Sequence, residues 1–210
     1  MILNFIRNIF KERKGTFFNA SNKELNNFFC GFGICKIEKD KISIKKYPFK
    51  PSLANPNIIL NADEINSITL KSSPPQLLYK GDWIFITAEK LDELTKFVEI
   101  NNINISEKNW TWDSILDPFL DTEHTEEEIE ITINSLIKNG ISRDVVIKIR
   151  EEVSEQMYKY NFDTMLWEWV SLGLSDVLQA MRVKYSDKEF KEFYNKAMLI
   201  ENINATQHGV

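Results

Sequence analysis

The chain carries two cysteines among its 210 residues, Cys30 and Cys35, whereas small secreted scaffolds rely on several paired cysteines to reinforce a thin core. A disulfide framework is therefore excluded, and the spacing of the two thiols sets them on opposite faces of one strand as reduced, packed side chains. No stretch approaches the ~18 consecutive apolar residues of a membrane-spanning helix. The amino-terminal MILNFIRNIFKERKG has neither the continuous apolar core nor the small-residue cleavage site of a signal peptide. The cytoplasm is the expected compartment.

Catalytic signatures are equally scarce. There are two histidines, His124 and His208, and His208 lies in a polar tail that is expected to fray. A Ser-His-Asp or Cys-His site would depend on His124 alone. No Walker loop, CxxC pair or HExxH occurs. Gly31-Phe32-Gly33 lacks the third glycine and the following helix of a dinucleotide loop, and reads instead as a bulge or a close backbone approach in a strand. No cofactor is implied. Proline-rich, glycine-rich and repetitive tracts are also missing, which leaves no disordered linker to place.

What is present is an ordinary globular composition, 43% hydrophobic and 27% charged, enough to bury a core. Charge is unevenly spread. Residues 1–104 hold 15 Lys+Arg against 11 Asp+Glu, net +4, and residues 105–210 hold 11 against 20, net −9, which together give the chain's −5. The acidic half is a poor nucleic-acid binder, and the basic half is only weakly suited to it.

Met1 to Lys14 has the period of a short basic amphipathic helix, which either lies on an anionic membrane surface or docks on the protein's own core. From Phe28 the period becomes that of strands. Phe28 to Ile37 and Lys41 to Tyr47 form a hairpin turning at Glu38, Lys39 and Asp40. After a loop broken by Pro48, Pro51 and Pro56, shorter strands follow at Ile58–Leu60, Ile65–Leu70, Gln76–Tyr79 and Trp83–Thr87, the last two joined by a tight turn centred on Gly81. Glu89 to Asn101 returns to helical spacing through Leu91, Leu94, Phe97 and Val98.

This order of elements over residues 28 to 104 resembles a pleckstrin-homology-like domain, a bent antiparallel sheet capped by a helix. The resemblance implies a platform for lipid headgroups or peptides, and Lys41, Lys45, Lys46 and Lys50 near the first hairpin are the residues that would serve it. Lysines on a solvated or edge strand also serve solubility alone, and that reading weighs more.

The second half reads as helical. Trp110 to Leu120 is interrupted at Pro118. Thr125 with Glu128 is a capping box ahead of a helix ending at Gly140. Ser142 opens the next, with an apolar stripe through Val145, Val146, Ile149, Val153, Met157 and Tyr160, and Ser186 with Glu189 opens the last. Between them, Asn161 to Arg182 is apolar on nearly all sides, as for the central member of a bundle. Asp176 is the anomaly within it. Either it is a buried carboxylate needing Arg150, Arg182 or an indole N–H as partner, or Gly173 breaks the helix, Ser175 caps a new one and Asp176 becomes a first-turn residue, which G-L-S-D favours.

The expected architecture is an α+β amino-terminal domain, residues 1–104, and an α-helical bundle domain, residues 105–210, joined around Ile103 to Lys108. The expected function is that of a cytoplasmic, non-enzymatic protein-binding protein whose acidic face, Asp113, Asp117, Asp121 and Glu123, engages a protein partner. An immunity or antitoxin-type protein covering a basic toxin site is one specific form. Two other classes stand beside it: a metal-assisted hydrolase using Asp117, Asp121, His124 and Glu128, and a peripheral membrane protein held through Met1 to Lys14. The carboxylates do not follow the alternating order of a calcium loop, and one helix turn lacks the ligands that a metal needs. No metal site is assigned.

Overall fold

A computed structural model describes residues 17–120, 124–164 and 171–205. The basic segment Met1 to Lys14, Asp121, Glu123, Trp167, Trp169 and His208 lie outside the described residues. The fold is mixed α+β, with two antiparallel three-stranded sheets and a helical carboxy-terminal region. Contacts divide the chain into two compact units, each assembled from two segments: residues 1–29 with 111–184, and residues 30–110 with 185–210. The expected division at residue 104 and this grouping do not coincide.

In the second unit, β1 (Ile34–Ile37), β2 (Lys41–Lys45) and β3 (Asn57–Asn61) form one sheet in that order. The KISIK alternation of β2 buries Ile42 and Ile44, which lie beside Cys35 and Leu60 among the buried residues, and leaves the intervening side chains on the other face. The strand expected from Phe28 begins only at Ile34 because the chain first turns at Gly33, whose φ is +78°. An added Cβ there would sit 2.5 Å from the Lys45 carbonyl oxygen, so glycine is required for β1 to close on β2. β4 (Ser67–Thr69), β5 (Gln76–Tyr79) and β6 (Asp82–Phe85) form the second sheet. Lys80 and Gly81 join β5 to β6 with φ of 50° and 84°, the backbone of a two-residue hairpin turn.

Helix α2 (Leu91–Asn101) buries Leu94, Phe97 and Val98. The last helix, here α7 (Asp187–Ala205), starts at the expected Ser186–Glu189 box but belongs with the sheets rather than with the helical bundle. Its Phe190 and Tyr194 rings each lie 6.2 Å from that of Phe49, and the Tyr194 hydroxyl donates to Asp82 Oδ1 at 2.6 Å. Asp82 also accepts from Ser52 Oγ and the Leu53 N–H, so a buried carboxylate at the start of β6 is satisfied from three directions.

The first unit gathers α1 (Asn22–Asn27), α3 (Thr111–Leu116), α4 (Glu126–Lys138), α5 (Arg143–Tyr158) and α6 (Leu174–Lys184). Thr125 and Glu128 make the reciprocal capping box of α4, and Ser142 caps α5. The α5 stripe buries Val146, Ile149, Val153 and Met157, with Val145 39% exposed at its margin. One continuous helix over Asn161 to Arg182 is not what forms. Lys159–Asp163 is a π-helical turn that extends α5, and a separate helix, α6, begins at Leu174. Every residue from Leu174 to Met181 is buried, so the shorter helix retains the surrounded character expected of the longer one.

Candidate functional site

The start of α6 places a buried carboxylate, Asp176, at a helix cap. Gly173 occupies the cap position, since its carbonyl accepts from the N–H groups of Asp176 and Val177. The cap is therefore two residues ahead of Ser175. Asp176, one turn in, sends Oδ2 back to the Gly173 N–H at 2.8 Å and accepts the Tyr160 hydroxyl on Oδ1 at 3.0 Å. This is half of a capping box built from a buried carboxylate. Asp176 is thus both of the things expected separately, a buried charge and a first-turn residue.

Its partners differ from those expected. Arg150 instead donates from Nε and Nη2 to the Ile115 and Ser114 carbonyls, a cation on the last carbonyls of short α3, and Arg182 donates to the Asn27 carbonyl. Tyr160, the residue missed in the sequence, lies in the π-helical turn that ends α5, a different element from α6, and no periodicity encodes its contact with Asp176.

Burial, with a smaller push from nearby Asp113, raises the Asp176 carboxyl to about 6 against the pull of the Gly173 N–H and Tyr160 hydroxyl. Gly173 separates the two acids: a methyl group there would lie 3.8 Å from Asp113 Oδ2 and 3.9 Å from Asp176 Oδ2. Both Asp176 oxygens are engaged and the residue is 4% exposed. Its hydrogen bonds are those of a helix cap.

Asp113 and Asp117 are half-buried, in α3 and in the turn after it, and they face different groups. Asp113 adjoins Gly173, whereas Asp117 Oδ2 lies 3.6 Å from His124 Nδ1. Asp121 and Glu123 lie outside the described residues. His124 Nε2 is buried with no hydrogen-bond partner among the described residues. Glu128 is committed to the cap of α4, where the Thr125 N–H and hydroxyl hold its carboxyl below the usual range. Among the described residues, no group of three or more His, Cys, Asp or Glu is arranged to hold a metal ion.

The acidic character continues into α4. Residues 109–137 contain eight Asp+Glu and no Lys or Arg. Glu126, Glu127 and Glu128 fill the exposed first turn, where they favour the helix dipole. Glu130, just beyond, is bound bidentately by Arg143. By contact units the charge is 12 Lys+Arg against 17 Asp+Glu in the first and 14 against 14 in the second. The asymmetry is therefore a property of this segment rather than of two whole domains.

Of the lysines set beside a basic headgroup site, Lys45 is exposed and Lys41 half-buried, both on β2, whereas Lys46 follows the strand with φ of 57°. Lys50 pairs with Asp187 at 2.6 Å. No helix among the described residues is long and apolar enough to cross a membrane. No protein-family model and no curated protein matches the chain.

Proposed function

We propose that the chain is a non-enzymatic protein-binding protein whose acidic segment, from Asp113 and Asp117 through Asp121 and Glu123 to Glu127, engages a basic surface of a protein partner. The observation that carries this reading is the run of eight carboxylates uninterrupted by Lys or Arg, within which Glu126 and Glu127 stand exposed with no ion pair among the described residues. Such a segment attracts a basic surface at long range and repels an acidic one. An immunity or antitoxin-type protein covering a basic toxin site is one form of this function. The order of six strands followed by α2 supports a PH-like platform in the same chain, with Lys41, Lys45 and Lys46 as its basic residues.

Affinity capture from native cytosol tests the reading. A basic partner held by the wild type and lost when Asp113, Asp117, Asp121 and Glu123 are replaced by Asn or Gln supports it, and a specific partner retained by that variant contradicts it. The hydrolase alternative draws on the Asp117–His124 approach, and stoichiometric metal in purified protein, lost on Asp121→Ala, would overturn the non-enzymatic reading. Attachment to anionic liposomes that depends on residues 1–14 would favour the peripheral membrane class.

A further inference from the structure

We propose that the outer face of the β1–β2–β3 sheet is a docking surface for an acidic amphipathic helix of a partner protein. The strand register builds this face as a checkerboard. Ile34 stands opposite Lys45, while Lys36 stands opposite Ser43, which in turn stands opposite Ile59. Lys41 lies one row further along β2. Ile34 is 60% and Ile59 65% exposed, a departure from the polar outer face that a solvated antiparallel sheet normally shows. The two isoleucines occupy the ends of a diagonal, and Lys36 and Lys45 fall on either side of it.

The dimensions suit a helix. Three strands at ~4.8 Å spacing span about 10 Å, one helix diameter, and same-face residues repeat every ~6.7 Å along a strand, which places Ile34 about 12 Å from Ile59. Residues seven apart on a helix share a face and are separated by about 10.5 Å. A helix laid along the diagonal thus seats one apolar side chain on each isoleucine and turns its flanking positions toward Lys36 and Lys45. Charge selects acidic residues there, because among the described residues three lysines outnumber two carboxylates, Glu38, which pairs with Lys36 at 2.8 Å and Lys41 at 3.7 Å, and Glu64, which accepts from Asn61 Nδ2 at 3.0 Å at the corner of the face. Among the described residues the face carries no aromatic ring on which a nucleic-acid base would stack. Polar Ser43 interrupts the apolar surface that a bilayer would need to be continuous.

The test uses the full chain and a labelled synthetic 18-residue helical peptide with leucines seven positions apart flanked by glutamates, its lysine-for-glutamate twin, and phosphatidylserine-containing vesicles. The acidic peptide is expected to bind with a salt-sensitive affinity that falls about tenfold in Lys36→Glu/Lys45→Glu and in Ile34→Ser/Ile59→Ser. Circular dichroism should show both exposed double variants folded. No binding of the acidic peptide, equal binding of its basic twin, indifference to both double variants, or variant-sensitive binding to vesicles in its place would overturn the proposal. The proposal is independent of the acidic segment in the first unit, so Glu126→Lys/Glu127→Lys should leave peptide binding unchanged, and a loss there would also count against it.

Discussion

Replacing Asp176 by asparagine should flatten the pH dependence of stability between about pH 4 and 6. The carboxyl is raised from 3.8 to about 6 in the folded chain, first by burial and then by Asp113, against its two hydrogen bonds. Between those values the folded state holds a proton that the unfolded state has released, so stability must fall as pH rises. The contribution is fully present below about pH 4 and is lost as pH passes through about 6. At ~1.4 kcal/mol per pKa unit it amounts to about 3 kcal/mol. Asparagine keeps an oxygen for the Tyr160 hydroxyl or the Gly173 N–H but cannot ionise, so this component disappears. Urea unfolding of both proteins from pH 4 to 7 provides the assay. The held-down glutamates Glu24 and Glu128 tilt both curves the opposite way and cancel in the difference. Wild type should lose about 3 kcal/mol relative to the variant over that range, and Asp113→Asn should shrink the loss. Parallel curves would refute the buried-cap account.

Two further outcomes follow from the sheet unit. Gly33→Ala should destabilise by about 1–3 kcal/mol in thermal unfolding, because it forces a methyl group to within 2.5 Å of the Lys45 carbonyl at a φ of +78°, whereas Gly31→Ala, which meets nothing within 4 Å, should cost less. Tyr194→Phe removes one of three donors to buried Asp82 and should cost about 1–3 kcal/mol. Full stability in that variant would show that α7 is not tied to the sheets through this bond.

Local chemistry was readable wherever the signal and the structure it controls lie within one turn or one hairpin. KISIK gives β2, Lys80-Gly81 gives the β5–β6 turn, and the Thr125, Ser142 and Ser186 caps start their helices as expected. Ser21 with Glu24 forms the same capping box for α1, although its residues carry no buried face to announce a helix. What local rules leave open is which distant element a face meets. The stripe of α7 is compatible with a helical bundle and with a sheet, and its aromatic rings on Phe49 together with Asp82 decide for the sheet. Gly173 marked the break in the apolar run, but Tyr160 as the partner of Asp176 is a contact between two separate elements. The acidic residues were equally visible as a pattern, yet spacing alone did not separate half-buried Asp113 and Asp117 from the exposed first turn of α4.

If this acidic segment engages a basic protein surface, its exposed carboxylates must contribute to the affinity. Calorimetric titration of the captured partner against the wild type and against Glu126→Gln/Glu127→Gln, at low and high salt, tests it most directly. Binding should be about tenfold weaker for the variant and less dependent on salt, because both carboxylates are exposed and add to the attraction. Equal affinity and equal salt dependence for the two proteins would contradict it.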